Sequence, residues 1–256
     1  MADTAPPPDP ASEPDAPDAP AAAADAERRE VPVWQETLRR YANDPPSPRR
    51  AEMHRIGTAL RSIVHRLHGS GAPDEDLAAM AAELEQVAAH LNSFPGGSLY
   101  EGFSESTLAG ADPAAFFDHS PMLGRANPLA PPIDLKLGDG VMYGAATFGA
   151  AYEGPPGCVH GGYVAAAFDE VLGATQSLGG RPGMTGRLTV HYRSPTPLNT
   201  ALHFEGRVER VEGRKTFTVG TVHAGDRLCA EAEGLFIAID FAKMVELRRL
   251  REQRVG

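Results

Sequence analysis

The chain has 256 residues and a formal net charge of −10. Residues 1–30 hold eight acidic residues and only two arginines, so more than half of the net charge lies there, and no basic face for nucleic acid is indicated. Two cysteines give no disulfide framework, which favours a cytoplasmic protein. We expect neither a secretory signal nor a membrane span, because no run of about 18 apolar residues occurs.

The N-terminal third of the chain predicts a tail followed by helices. Residues 1–30 are mostly Ala, Pro and acidic residues, which bury too little apolar surface to offset the entropy of ordering, so they predict a disordered tail. Residues 31–93 predict a helical extension, because apolar residues recur at three- and four-residue spacings over 33–42, 47–68 and 73–92.

The second and third of these helices are amphipathic. Each carries an apolar stripe, formed by Met53, Ile56, Leu60, Ile63, Val64 and Leu67 on one and by Leu77, Met80, Leu84, Val87 and Leu91 on the other. The two helices are joined through Gly69-Ser70-Gly71, which predicts a helical hairpin. Such a hairpin would serve as a lid or partner-binding arm, or would pack on the main domain or on a symmetry mate.

Residues 94–132 predict a long connecting strap, because aromatic residues alternate there with Gly, Pro and Ser. The run Asn127-Pro128-Leu129-Ala130-Pro131-Pro132 cannot be helical. Connections of this length are often functional, so the strap is a candidate wall of a pocket.

Residues 133–240 predict a sheet and one buried helix. Strands are indicated over 133–137, 141–151, 183–192, 201–211, 215–223 and 227–239. Between the second and third, Cys158-Val159-His160-Gly161-Gly162-Tyr163 opens a helix to about Leu178 that is apolar on nearly all sides. An antiparallel sheet wrapped around this helix would cover it, so the fold class is α+β. Residues 241–256 predict a short basic C-terminal helix.

Two acids, Asp169 and Glu170, interrupt this apolar helix. A carboxylate in such surroundings is costly unless it is paired, hydrogen-bonded or used, and an apolar environment should raise its pKa. Neighbouring residues point about 100° apart around a helix, so only one of the two can face a given site.

A set of short motifs resembles the hotdog-fold acyl-CoA thioesterases of the phenylacetate-pathway (PaaI) type. The matching residues are His160-Gly161-Gly162, Asp169 nine positions after the His, Met184-Thr185-Gly186-Arg187-Leu188-Thr189-Val190, and Tyr192-Arg193-Ser194-Pro195. The resemblance covers about 135–239 and leaves the helical extension and the acidic tail outside. Some family members carry an Asn in the loop before the His, where this chain reads Gly-Pro-Pro-Gly-Cys-Val.

The resemblance implies a hotdog fold, acyl-CoA thioesterase activity, and dimers or tetramers with sites at the subunit interface. It favours Asp169 over Glu170 as the working acid, either as general base or as a nucleophile that forms an anhydride. It also implies that the Thr185 hydroxyl holds the water or the carboxylate, although an ordinary strand threonine remains an alternative.

Gly161 and Gly162 fall at the start of the helix, where N–H groups lack partners within the helix and the dipole favours negative charge. They predict an oxyanion hole for the thioester carbonyl, or simply a tight loop before the helix. Eight residues separate Gly161 from Asp169, about 12 Å along the helix at ~1.5 Å per residue. The base at a given helix start must therefore come from elsewhere, and a second subunit with an antiparallel helix would supply it.

The other candidate site residues could also have ordinary structural roles. His160 would orient substrate or the loop, or only cap the helix, and Cys158 with His160 gives little support for a nucleophile or a metal site. Candidate substrate-binding residues are Glu170, as the rival acid, and three basic residues suited to CoA phosphates, Arg193, Arg214 and Lys215. No cofactor is expected besides the CoA of the substrate. The alternatives are a non-catalytic hotdog module that binds acyl-CoA or a partner protein, and a hotdog dehydratase.

Overall fold

The computed structural model describes residues 36–67, 69–94, 115–180 and 183–238. The predicted tail (1–30), the predicted C-terminal helix (241–256) and residues 95–114 of the strap lie outside these residues. The described helices before the sheet are α1 (36–43), α2 (Pro48–Leu67), α3 (Asp74–Asn92) and the short α4 (Ala115–His119).

The remaining elements follow the predicted order of two strands, one helix and four strands. They are β1 (Asp134–Gly138), β2 (Val141–Thr147), α5 (Gly161–Gln176), β3 (Gly183–Tyr192), β4 (Ala201–Glu212), β5 (Lys215–Ala224) and β6 (Arg227–Ala238). Two elements are shorter than predicted, because a 3₁₀ turn over Ala150–Tyr152 replaces the end of the second strand and another over Ser177–Gly179 follows α5.

All six strands form one antiparallel sheet in the order β1-β2-β4-β5-β6-β3. The hairpins joining β4 to β5 and β5 to β6 turn at Gly213 and Gly225, which both have positive φ, a conformation that glycine adopts without steric cost. The chain between β2 and β4 makes α5 and then β3, which among the described strands pairs with β6 alone and is therefore an edge strand. One edge of the sheet is thus the ten-residue strand β3.

Helix α5 packs on one face of this sheet. Its buried apolar side chains include Val164, Phe168, Val171 and Leu172. The approach is close because the strands carry glycine under the helix, and a Cβ built at Gly220 would lie 2.9 Å from Leu172 Cδ2. Antiparallel strands wrapped on one long helix confirm the hotdog fold.

The opposite side of α5 is less covered than its sequence predicts. Gly162, Tyr163 and Asp169 are exposed in the single chain. The buried residues of α5 still span about 200° of its circumference at ~100° per residue, as predicted, but the expected apolar surrounding of Asp169 is wrong for the single chain. The uncovered side lies along the open edge of the sheet formed by β3.

Helix α2 is attached to the body through polar side chains. The Arg50 guanidinium and the His54 ring contact the Asp118 carboxylate at 2.6 and 2.5 Å. Arg61 donates to the backbone carbonyls of Asn127 and Arg125 at 2.7 and 3.1 Å. These contacts replace the apolar packing that the sequence of α2 favours.

Helix α2 makes two further close contacts with the backbone of the body. A Cβ at Gly57 would lie 2.7 Å from the backbone oxygens of Arg125 and Ala126, so only glycine fits there without displacement. His65 Nδ1 accepts a hydrogen bond of 3.1 Å from the Ala151 N–H. Residues 50, 54, 57, 61 and 65 recur at helical spacing and form one body-facing row.

The apolar stripes of α2 and α3 are left in solvent. Apart from Met53, which is partly buried, their members are 36–68% exposed, and every residue of α3 is exposed. The predicted helices are thus confirmed at 48–67 and 74–92, but the expected packing of a hairpin through its stripes is not formed.

Candidate functional site

The start of α5 is capped by His160. Its Nδ1 accepts a 3.0 Å hydrogen bond from the Gly162 N–H, and its backbone carbonyl accepts from Tyr163 N–H. Among the described residues the Gly161 N–H has no partner. In the free chain, the Gly161 N–H is therefore available as an oxyanion donor, whereas the Gly162 N–H is held by His160. Capping the helix is one of the two roles predicted for His160.

Tyr192, at the end of β3, fixes the first turn of α5. Its hydroxyl donates to the Gly161 carbonyl at 2.7 Å, and a Cβ at Gly161 would lie 3.2 Å from the same oxygen. The absence of a side chain at Gly161 therefore lets the strand end approach the helix start. The sequence contained Tyr192 in a motif, but it gave no sign of this contact.

Tyr152 supports the same turn from the other side. Its backbone carbonyl accepts from the His160 N–H at 2.8 Å, and its ring packs edge-on against the ring of Tyr163. The His65 ring of α2 contacts the Tyr152 ring at a centroid distance of 5.3 Å. Burial raises the pKa of Tyr152 to about 12, and its hydroxyl donates to the Leu129 carbonyl. A chain of contacts thus joins the helical extension to the start of α5.

Asp169 and Thr185 meet farther along the helix. The Thr185 hydroxyl donates to Asp169 Oδ1 at 2.8 Å, and both residues are exposed. The structure therefore brings together the two residues that the sequence pairs sixteen positions apart. Because one carboxylate oxygen holds the hydroxyl proton, Oδ2 is the oxygen that can accept a further proton.

Glu170 points to the opposite side of α5, toward the strap. It accepts a 3.1 Å hydrogen bond from the Ser120 hydroxyl, whose oxygen in turn accepts from the N–H groups of Met122 and Leu123. Burial raises the pKa of Glu170 to about 6, against the lowering effect of the Ser120 hydroxyl. The buried acid of this helix is therefore Glu170, which lies apart from the pair of Asp169 and Thr185.

The candidate basic residues lie at the two ends of β6. Arg193 forms an ion pair of 2.6 Å with Glu231, and its N–H donates to the Cys229 carbonyl. The Arg214 guanidinium donates to the Ala238 carbonyl at 2.9 Å, and Lys215 is exposed beside it. Nine residues of strand separate these two carbonyls, about 30 Å at ~3.3 Å per residue.

Each end of β6 lies near one part of the candidate site. Tyr192 pairs with Ala230 near the Arg193 end, whereas Thr185 pairs with Phe236 near the Arg214 end. The start of α5 and Arg193 therefore lie at one end of β3, and Asp169 with Arg214 and Lys215 at the other. Three clefts of about 240, 220 and 440 Å³ elsewhere on the chain contain neither Asp169 nor the helix start.

The described ranges contain neither a cluster of metal ligands nor a helix suited to a membrane. There, no three side chains of His, Cys, Asp or Glu are arranged so that they could hold a metal ion. In the same residues, no helix combines the length and apolar character that crossing a bilayer requires.

Comparison with known proteins gives matches over the same region. Residues 156–233 match the family model described as Thioesterase superfamily. Acyl-coenzyme A thioesterase THEM4 of Xenopus laevis is 40% identical over 93 residues, which are 36% of this chain and 42% of that protein. The Bos taurus protein of the same name is 36% identical over 94 residues, which are 36% of this chain and 38% of that protein. The matches thus span about two fifths of the length of these relatives.

A crystal structure of a thioesterase superfamily protein matches over a longer range. It shares 34% sequence identity with this chain, superimposes with a TM-score of 0.63, and is matched over 94% of its own length and 72% of this chain. The match extends beyond the sheet and α5, because 72% of the chain exceeds residues 133–240. Together with the fold, it shows that the chain belongs to the thioesterase superfamily.

Proposed function

We propose that the chain is an acyl-CoA thioesterase, which hydrolyses the thioester of an acyl-CoA to the free acid and CoA. The observation that carries the proposal is the exposed Asp169 carboxylate, oriented by the Thr185 hydroxyl, on the helix whose first N–H group, that of Gly161, has no partner among the described residues. The names of the relatives support the substrate class. We assign the activity to residues 133–240 and place the protein in the cytoplasm, in keeping with its two free cysteines.

The chemistry uses two groups. The thioester carbonyl oxygen accepts from the Gly161 N–H, and from Gly162 N–H once the His160 ring releases it. Asp169 Oδ2 takes a proton from the attacking water, or attacks the carbonyl itself to form an anhydride. The C–S bond then breaks, and the thiolate of CoA leaves and takes up the proton that the attacking water gave up. In the anhydride route a water molecule then hydrolyses the anhydride, which releases the free acid and regenerates the Asp169 carboxylate. These steps need no metal or redox cofactor.

The two groups belong to different chains. Within one chain the Gly161 N–H and Asp169 are about 12 Å apart along the helix, too far for one water to serve both. A second copy placed antiparallel along the open β3 edge would bring its Asp169 to the first chain's helix start. Met184 and Tyr192, which are 61% and 54% exposed on that edge, would be covered by such pairing.

The same dimer accounts for the two groups of basic residues. Arg193 follows Tyr192 at the helix-start end of β3, with its guanidinium paired to Glu231, whereas Arg214 and Lys215 lie at the Asp169 end. An antiparallel pair therefore collects Arg193 from one chain and Arg214 with Lys215 from the other around one site. Together they would bind the phosphates of CoA.

The first experiment measures thiol release with a panel of short, long and aromatic acyl-CoAs. Asp169→Asn should lower kcat by about 10²–10⁴, as loss of a general base does, while acyl-CoA binding persists. Asp226→Asn, at the β5–β6 turn, is the matched control. Binding without turnover across the panel would instead identify a non-catalytic acyl-CoA module.

The oxyanion donor can be removed with little other change. Gly161→Pro deletes the N–H at the first helical position, where proline is tolerated, and His160 already has the extended backbone that precedes proline. Gly161→Ala keeps the N–H and adds the same Cβ beside Tyr192. We expect the Pro variant to lose about 10²–10³ in kcat relative to the Ala variant.

Mixing these variants tests the shared site. Chains with Asp169→Asn and chains with Gly161→Pro, refolded together at equal amounts, should regain roughly a quarter of the parent activity, because half of the dimers are mixed and each has one intact site. If both groups of a site came from the same chain, mixing would restore nothing.

A further inference from the structure

The helical extension carries two apolar stripes with the same spacing. On α2 the stripe runs through Met53, Ile56, Leu60, Ile63 and Leu67, and on α3 through Leu77, Met80, Leu84, Val87 and Leu91. Both follow steps of three and four residues, the a and d positions of helices that pack side by side. The stripes have the same length, so either can cover the other completely.

The α2 stripe is turned away from the body. Taking 100° per residue, it is centred roughly 120° around the helix from the row of Arg50, His54, Gly57, Arg61 and His65 that contacts the body. The body therefore cannot cover it while those contacts hold. Nor is it covered by α3, because with both helices in place Ile56, Leu60, Ile63 and Leu67 remain 36–58% exposed and only Met53 is partly buried.

The two helices have opposite charge. Helix α2 has five arginines and one glutamate, whereas α3 has five acidic residues and neither lysine nor arginine. The acids Asp74, Glu75 and Asp76 occupy the first turn of α3, and His65 and Arg66 the last turn of α2. Antiparallel packing of α2 on α3 brings opposite charges together, whereas α2 on α2 or α3 on α3 brings like charges together.

From these stripes and charges we infer that the helical extension is an interaction surface for a second copy of this chain, in which α3 of one copy packs antiparallel on α2 of the other. The register that aligns both stripes pairs Leu67 with Leu77, Leu60 with Leu84 and Met53 with Leu91. Two-fold symmetry makes the contact twice and closes a bundle of four helices of alternating charge. This surface is separate from the β3 edge, so the contact adds an association step to the dimer proposed there.

The experiment measures molecular mass in solution by light scattering over a range of concentrations. In the full chain, Leu84→Glu with Val87→Glu should lower the mass about twofold relative to the parent. Ala82→Glu with Gln86→Glu adds the same charges to the other side of α3 and should leave the mass unchanged. Equal masses for the parent and the stripe variant would overturn the inference.

A cysteine pairing experiment shows whether the helix that packs on α2 is α3 of a second copy or α3 of the same chain. Chains carrying Leu60→Cys and chains carrying Leu84→Cys, mixed and oxidised, should form a disulfide-linked pair, whereas Leu60→Cys mixed with Gln86→Cys should not. A disulfide that forms only inside a chain carrying both Leu60→Cys and Leu84→Cys would show that α3 covers its own α2, and would overturn the inference. Thiol release is expected to be retained by the Leu84→Glu and Val87→Glu chain, so the outcome does not depend on the proposed activity.

Discussion

The helical extension and the sheet domain use their apolar residues in opposite ways. In the sheet domain, α5 buries Phe168 and Leu172 completely against the strands. In the extension, α2 contacts the body with arginine, histidine and glycine, and its apolar stripe lies in solvent. A helix is predicted from the sequence in both regions. The comparison shows that a stripe reveals a helix and a packing face, but not the partner of that face.

The strongest test of this contrast compares leucines on the two helices. Leu172→Ala should lower the free energy of unfolding by about 3–5 kcal/mol, because it opens a cavity in a core that is fully buried. Leu84→Ala on α3, measured at a dilution where chains are separate, should cost less than about 0.5 kcal/mol. Urea denaturation gives both values, and equal costs would mean that α3 is packed within its own chain.

A second test removes the acid that holds the extension on the body. Asp118 is 2% exposed, and its partners Arg50 and His54 are 14% and 17% exposed. Asp118→Asn removes the buried carboxylate that Arg50 and His54 contact and should cost about 3 kcal/mol. Limited proteolysis should then cleave the extension faster than the sheet domain. Asp134→Asn, at an exposed ion pair with Arg125, is the matched control and should have little effect.

A third test uses the pH dependence of Glu170. Burial raises its pKa to about 6 from the ordinary 4.5, so its contribution to stability is fully present below pH 4.5 and is lost as the pH rises through 6. Glu170→Gln removes this loss. Between pH 4.5 and pH 7, the free energy of unfolding of the variant should therefore rise relative to that of the parent by up to about 2 kcal/mol. Denaturant midpoints at pH 4.5 and 7 measure the gain. Glu83→Gln, on exposed α3, should show no such trend.

The smallest effect is expected at His65. Burial and the charge of Arg61 hold the pKa of His65 below its ordinary value of 6.5, so its contribution to stability is present above pH 6.5 and falls as the pH decreases toward its folded pKa. His65→Phe loses the acceptor for the Ala151 N–H and should cost about 1 kcal/mol at pH 7.5. His90→Phe on α3 is the control, and an equal cost there would contradict a docking role for His65.

The sheet domain was predictable because its signals are local. Alternation marks the strands, glycines mark the hairpins at Gly213 and Gly225, and His160-Gly161-Gly162 marks the start of α5. The contact between Asp169 and Thr185 is not local, and only the resemblance to a family indicated it. Spacing alone could not show that β3 pairs with β6 at the point that brings these residues together.

The docking of the extension could not be predicted from periodicity. Arg61 faces the body because the strap presents the backbone carbonyls of Arg125 and Asn127, which need hydrogen-bond donors. The relative burial of Asp169 and Glu170 escaped prediction for the same reason. Which of two adjacent helical residues is covered depends on the path of the strap, and Ser120 fixes that path from 50 residues away.

The imidazole that caps α5 creates a competition at a single backbone proton. The Gly162 N–H can serve one acceptor at a time, and His160 Nδ1 holds it in the free chain. An anionic group arriving at this amide has to displace the ring, at a cost of about 1 kcal/mol for the broken hydrogen bond. Affinities measured for such ligands therefore include the work of uncapping the helix, and a residue at position 160 without an acceptor would make weak ligands bind more tightly.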